Sequence, residues 1–531
     1  MQSKRWKRIV IALVLGALGF IGLGGWALAS PPGSAPDDDF HLASIWCAWG
    51  DRDNLCESSD EAGVSVVPQR LVLAAHCYAL QPAQSAACVP TEDVTIGTTR
   101  LNSGGNYPPL FYAVTGVFAS DDIDASVIGI RLFNSALFVG AVIAVLSLLR
   151  PGQRGPLLWT SVIGLVPVGV FFIASVNPSS WAILAGLVTW AAMTGYFTAE
   201  RRGLRIGLGI SSAVVGLMGA GARSDAAVYV AFAALAAMIL TFDRSRSWLK
   251  LASIPLGLIV VSAISFLTSG QTDWAVQAGA QQIAEAGSGE GSSLGLVFSN
   301  LLMLPFLWSG NLGTWGLGWL DTQLPAPVWV MMIGAFTAVV FWGLRVMTRR
   351  KGIVLALALL ALIVMPLYVL YGQNAAVGTE VQPRYLLPLM LTFTGVTLYG
   401  LAKDNLGLSR LQGLIVLMGV AAANAFALHT NMKRYITGLD KPGANLNTNI
   451  EWWWGISLQP MTVWLVASAA FTLLMLGLYF VLFTEAGQRL FPGEAGASDD
   501  GAPEMSSSAS AGGEEARQSV SEVSAPRDPV A

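Results

Sequence analysis

Along most of this chain the apolar positions neither alternate nor recur on one helical face. They run in near-uninterrupted blocks of about 18 residues or more, the length that crosses a bilayer core. Inside lipid every backbone polar group has to be satisfied within its own segment, so such blocks are expected to be α-helices. They fall near 9–28, 128–149, 156–175, 179–198, 204–221, 225–241, 249–268, 327–347, 352–371, 385–402, 410–428 and 461–483. The pattern predicts an all-α integral membrane protein with about twelve crossings. The stretch 297–310 is apolar but short and holds Pro305, and it reads as a re-entrant or interfacial segment. The chain then divides into a cytoplasmic N-terminus with the first transmembrane helix (1–29), a large outer loop (30–127), a multi-helix transmembrane domain (128–483) and a tail (484–531).

Composition sharpens this picture. Of 531 residues, 54% are hydrophobic and 12% charged, too little charge to keep a soluble surface of this size in solution. Lys and Arg set the threading, because short cytoplasmic loops collect them. Lys4, Arg5, Lys7 and Arg8 precede the first span. Alternate connections then carry Arg150 and Arg154; Arg201, Arg202 and Arg205; Arg244, Arg246 and Lys250; Arg345, Arg349, Arg350 and Lys351; and Lys403 with Arg410. A multi-pass inner (plasma) membrane protein with both termini cytoplasmic is expected, its loops 30–127, 269–326, 372–384 and 429–460 facing outward. The first apolar run is about twenty residues, longer than the ~7–15 of a secretory signal. An uncleaved first helix is therefore expected, although Ala27-Leu28-Ala29 before Ser30 is a cleavage-type sequence. A net charge of −3 gives no reason to expect a nucleic-acid partner. From Thr484 the tail is rich in Ser, Gly, Ala, Glu and Pro and reads as disordered in the cytoplasm.

All four cysteines, Cys47, Cys56, Cys77 and Cys88, lie in the outer loop. Outside the cytoplasm thiols oxidise, and local closure favours Cys47–Cys56 with Cys77–Cys88. A zinc site would want tighter C-x-x-C pairs. The disulfides would staple a loop too small for a deep core. The loop opens with Pro36-Asp37-Asp38-Asp39-Phe40-His41, and the following LASIWCAW puts Leu42, Ile45, Trp46 and Trp49 on one side of a helix expected at the membrane surface. The three carboxylates have a plain explanation as helix N-terminal acids. They also fit a reaction centre, because like charges beside a low-dielectric surface raise a pKa toward neutrality. Asp37 with Asp38 would equally suit a divalent cation such as Mg or Mn. His41, one turn on, fits either arrangement. Tyr107-Pro108-Pro109 before Leu110-Phe111-Tyr112 suggests a second interfacial helix with proline in its first turn.

Arg223 and Arg384 stand at outward helix junctions, against the positive-inside bias. A planar guanidinium fork there suits a lipid phosphate, and pairing with Asp225, Asp321 or Glu380 is the plainer alternative. In Glu451-Trp452-Trp453-Trp454 the acid and rings would suit a sugar, though an interfacial anchor for the last span explains them better. The chain has no phosphate-cradling Gly-rich loop, serine nucleophile elbow or zinc-protease motif. Gly22, Gly24 and Gly25 read as helix packing.

Pro36-Asp37-Asp38 with Phe40-His41, Tyr107-Pro108-Pro109, Asn177-Pro178-Ser179, Gly318-Trp319-Leu320-Asp321 and Gln382-Pro383-Arg384-Tyr385-Leu386-Leu387-Pro388 occur in this order. Together they resemble a large actinobacterial family of predicted membrane proteins catalogued as a domain of unknown function. That family is itself similar in layout to the C-type (GT-C) glycosyltransferases, and the resemblance runs from about residue 5 to 485. It implies a GT-C-like fold and an enzyme moving a sugar from a polyprenyl-phosphate donor to a cell-envelope acceptor on the outer face. The role of base or metal ligand would fall on Asp37 or Asp38, with His41 adjacent. The family commonly has Pro-Asp-Glu-Pro where this chain has Pro36-Asp37-Asp38-Asp39, which leaves open which carboxylate acts. Candidate substrate-binding residues are Arg384, Arg223, Tyr107, Glu451 and Trp453. The other readings are a secondary transporter and a non-catalytic envelope-lipid binding protein. Spans almost free of ionisable residues, with no repeat between halves, weigh against the transporter.

Overall fold

The computed structural model describes residues 2–92, 94–270 and 294–491. Among them are 11 helices long and apolar enough to span a membrane, from Arg5–Leu28 to Pro460–Phe483. The chain is an all-α polytopic membrane protein. Two of the expected spans are not among the 11. Residues 156–175 form two short helices, Arg154–Gly164 and Val168–Ile173, because Pro167 has no amide proton to continue the ladder. The pair nevertheless joins the two ends of the bundle. At one end Gly152 and Gly155 donate to the Asp404 carboxylate at 2.8 and 3.2 Å, and at the other Asn177 donates to the Pro36 carbonyl at 3.0 Å. The helix Pro383–Leu398 has 16 residues and also joins the ends. Leu294–Thr314 is long enough to be counted, yet Asn300 bonds Ala375 and Val377, while Asn311 bonds the Pro383 carbonyl. Its two halves therefore face one stretch of chain.

The basic connections gather at a single end. Arg150 pairs with Glu200 at 3.2 Å, Arg345 donates to the Leu406 carbonyl at 2.7 Å, and Arg410 lies 3.9 Å from Glu485. Arg8 bonds the Leu490 carbonyl, so the first helix starts where the last described residues end. Ser179–Thr198 is the axis of the bundle: 94% of its apolar window is buried. Gly186 lets it approach Pro383–Leu398, since a β-carbon there would lie 2.4 Å from the Pro388 carbonyl. Gly25 does the same for the first helix, where a β-carbon would meet Ala467 at 2.2 Å, in keeping with helix packing by small residues.

Lys351, also at the basic end, is 1% exposed. Its ammonium donates to the carbonyls of Gly343, Val346 and Tyr399 at 3.0, 2.7 and 3.0 Å, closing the ends of two helices. A Lys351→Met protein should lose about 1–3 kcal/mol, because buried carbonyls are left without a donor. A lower apparent Tm in detergent is the measurement, and an unchanged Tm would mean that water replaces the ammonium.

At the opposite end, residues 30–127 carry the disulfides Cys47–Cys56 and Cys77–Cys88. A small antiparallel sheet of β1 (Glu57–Ser58), β2 (Ser65–Pro68) and β3 (Thr95–Thr98) lies in this loop. It pairs Val67 with Ile96, strands too short to leave a mark in the apolar pattern. The helix Asp38–Trp46 does not lie on a lipid surface: Leu42, Ile45 and Trp46 are fully buried, and so are Asp38 and His41 on its other faces. The helices Gln69–Leu73 and Leu110–Thr115 pack against it, so its tryptophan stripe faces protein. Trp49, the last member of that stripe, is 60% exposed. In the second short helix Pro109 is the N-cap, one position before the first turn. The span predicted at 410–428 continues to Ile436, where Asn431, Arg434 and Tyr435 are buried and hydrogen-bond Ala29, Ser34, Tyr78 and Asp321. Glu485–Leu490 forms a capped helix, so the expected disorder does not begin at 484. Residues 492–531 of that tail lie outside the described residues.

Candidate functional site

Pro31, Pro32 and Pro36 prevent the segment after the first helix from building its own hydrogen-bond ladder. Its buried carbonyls must then be met from outside, and they are, in sequence. Arg131 serves Ala27, Ser30 and Pro31, Trp454 serves Leu28 and Asn431 serves Ala29. Tyr78 serves Pro32, Trp319 serves Gly33 and Tyr435 serves Ser34. Pro36 receives Asn177 and Arg384. The Ala35 and Asp37 carbonyls are taken by the backbone amides of Asp38, Phe40 and His41 in the helix that follows. Residues 27–37 are a strap tied down by side chains from most of the bundle. Three of the sequence motifs quoted above, those of Asn177, Trp319 and Arg384, converge on it.

The strap ends at Asp37, whose φ of 66° is left-handed, a conformation Asp tolerates better than most residues. This turn separates three adjacent carboxylates into three environments. Asp37 is 33% exposed at its side chain and bridges Arg384 at 2.7 Å and Arg100 at 3.5 Å. Burial alone would raise its pKa, but Arg384 and then His41 and Arg100 outweigh it and hold the carboxyl below the usual value. Asp38 points inward. One oxygen accepts from the Ala35 amide at 3.0 Å and the other has no partner among the described residues. Burial pushes its pKa up to about 7, with nearby Arg131 opposing. Asp39 is claimed by Arg100.

His41 is fully buried, with Nδ1 2.9 Å from the Tyr112 hydroxyl and Nε2 unpartnered among the described residues. Burial lowers its pKa to about 3, so it stands as a neutral imidazole. Arg384, 3% exposed, lies 5.0 Å from the centroids of Phe172 and Tyr385. Arg223 reaches the same Tyr385 ring at 4.8 Å and holds Asp225 through two bonds of 2.9 and 2.8 Å. Tyr107 lies 5.8 Å from Arg223, and burial raises its hydroxyl pKa to about 12. Of the candidates, Arg384, Arg223 and Tyr107 gather around Tyr385, with Asp37 on Arg384 and His41 against Tyr107, while Asp38 turns away from them into the interior. Glu451 and Trp453 are not. Glu451 is exposed, and Trp453 donates to the Leu458 carbonyl at 2.7 Å.

The donor set does not suit the divalent cation considered above. Asp37 is engaged by two guanidiniums and Asp38 faces the interior. Among the described residues no three His, Cys, Asp or Glu groups come together to hold a metal. Arg100, Arg131, Tyr112 and Tyr385 join the site without having been singled out. Arg131 carried a usable signal, a guanidinium inside the apolar run 128–149, since a charge at such a place has a partner to serve.

Fold and site together define a multi-pass α-helical membrane protein whose buried arginines and strap-borne carboxylate cluster at the disulfide-bearing end. The chain belongs to the family described as predicted membrane protein (DUF2142), which matches residues 20–393. No curated protein and no solved structure matches it.

Proposed function

We propose that this protein is a membrane glycosyltransferase that takes a sugar from a polyprenyl-phosphate donor and gives it to a cell-envelope acceptor at the outer face of the plasma membrane. The observation that carries the reading is Asp37, the partly exposed carboxylate, set between exposed Arg100 and buried Arg384. Arg384 also borders a narrow crevice, wide enough for about one water, between Phe172, Trp315 and Leu320. A lipid phosphate would place its charge at Arg384, with Arg223 close by across Tyr385, and its chain would leave past a crevice that must widen to admit it. In the transfer the bond from the anomeric carbon to the phosphate oxygen breaks and polyprenyl phosphate leaves. The acceptor hydroxyl oxygen forms the new bond to that carbon, and its proton passes to the Asp37 carboxylate. Clustering of the basic connections at the far end supports a cytoplasmic placement of that end and of both termini. The disulfides support an oxidising compartment for the site.

Asp37→Asn, which keeps an acceptor for Arg384, should reduce the surface-glycan product to under a tenth, since a lost base typically costs at least 10²-fold. Glycan profiling of cells with matched protein levels is the measurement. Unchanged glycans at normal protein level would leave a binding protein without transferase activity, and substrate uptake into proteoliposomes surviving the substitution would favour a transporter.

A further inference from the structure

Beside Asp37 the rings of Phe40 and Tyr107 contact each other, with centroids 5.4 Å apart and planes tilted by 45°. Both are partly exposed. Next to them stand Arg100, 49% exposed at its side chain, and Asp37. We propose that this surface is a carbohydrate platform, where the apolar face of a saturated sugar ring lies across the paired Phe40 and Tyr107 rings while its hydroxyls bond Asp37 and Arg100.

The neighbouring groups select that ligand class. Aromatic rings offer broad apolar contact, but a cationic headgroup seeking them would meet Arg100 and Arg223, and Arg223 already lies over Tyr107. A carboxylate and a guanidinium at the rim supply an acceptor and paired donors for vicinal hydroxyls. The platform is also held still. Tyr107 exchanges hydrogen bonds with the Asn102 side chain at 2.8 and 2.9 Å and is followed by Pro108 and Pro109. Behind it His41 meets Phe40 and Tyr107 edge-on at 5.5 and 5.2 Å. Rigid support of this kind favours weak ligands, because less ordering is needed on binding.

The proposal deepens the transferase reading, since a sugar held here would present its hydroxyl to Asp37 as the acceptor. Its test does not depend on turnover. The intact protein in lipid nanodiscs would be titrated with methyl α-mannoside, methyl β-glucoside, methyl β-galactoside and maltotriose, with saturation-transfer NMR as the readout. At least one sugar should receive saturation at its ring protons. The signal should fall at least fivefold in Phe40→Ala and in Tyr107→Ala and persist in Phe40→Tyr and Tyr107→Phe. No transfer to any of the four from the wild-type protein overturns the platform, as does a signal that both alanine variants retain at unchanged Tm. If glycans respond to Asp37→Asn while no sugar binds, the platform fails and the transferase reading stands. If sugars bind while glycans ignore Asp37→Asn, the platform stands as a binding site and the transferase reading fails.

Discussion

An Arg131→Met protein should lose about 3–5 kcal/mol of stability, the scale for breaking a buried, hydrogen-bonded charge network, and the Asp37 turn should lose its fixed shape. Arg131 is 1% exposed. One terminal nitrogen donates to the Ala27 carbonyl at 3.0 Å and to that of Ser30, and the other to Pro31 and Ser34 at 2.8 and 3.2 Å. The guanidinium also lies 6.0 Å from the Trp454 ring. Methionine fills most of the volume, so the loss would report the abandoned carbonyls and not a cavity. Lysine keeps the charge but cannot fork across two turns of strap, so Arg131→Lys should recover only part of the loss. Two readouts check this: apparent Tm in detergent, and tryptic cleavage at Arg100, which the strap holds through Asp37 and Asp39. An unchanged Tm and unchanged cleavage in Arg131→Met would mean that the strap is held by something other than side-chain donors.

The strap also marks where the sequence stops being legible. Spans are visible because lipid imposes one requirement over about 18 residues at a time. The disulfide pairing is visible because nearby cysteines close more readily than distant ones. The three consecutive acids look alike in the sequence, and only the left-handed turn at Asp37 assigns them to a surface ion pair, an interior carboxyl and a claimed partner of Arg100. The ion-pair partners of Asp37 and Asp39 come from residues 100 and 384, at separations no local pattern can report. The helix Asp38–Trp46 shows a related limit. Its apolar stripe is real, but whether such a stripe meets lipid or protein depends on what the rest of the loop packs onto it. The broken helix at Pro167 and the turn at Gly310–Thr314 that ends the helix Leu294–Ser309 show the same limit, since hydropathy measures apolar length and not the direction in which the chain leaves.

Asp38→Asn should make the protein more stable than wild type at pH 8, by several times the margin it has at pH 4.5. In the folded state burial raises the Asp38 pKa from 3.8 to about 7. Between those values the folded protein holds a proton that the unfolded chain has released. Stability is therefore greatest below the unfolded value and falls as pH rises toward 7, by about 1.4 kcal/mol per unit, and then levels off. Over the whole window the loss amounts to roughly 4 kcal/mol. Asparagine offers the same oxygen to the Ala35 amide and cannot ionise, so that slope should vanish. Arg131 does not require the charge on Asp38, because strap carbonyls already solvate its guanidinium. The comparison is the difference in apparent Tm between the two proteins from pH 4.5 to 8, in which contributions from all other titrating groups cancel. A difference that grows with pH and flattens above 7 supports a carboxyl that stays protonated under mildly acidic conditions. Parallel curves would mean that Asp38 is ionised throughout and paired to Arg131, and the strap would then be held by an ion pair as well as by its carbonyls.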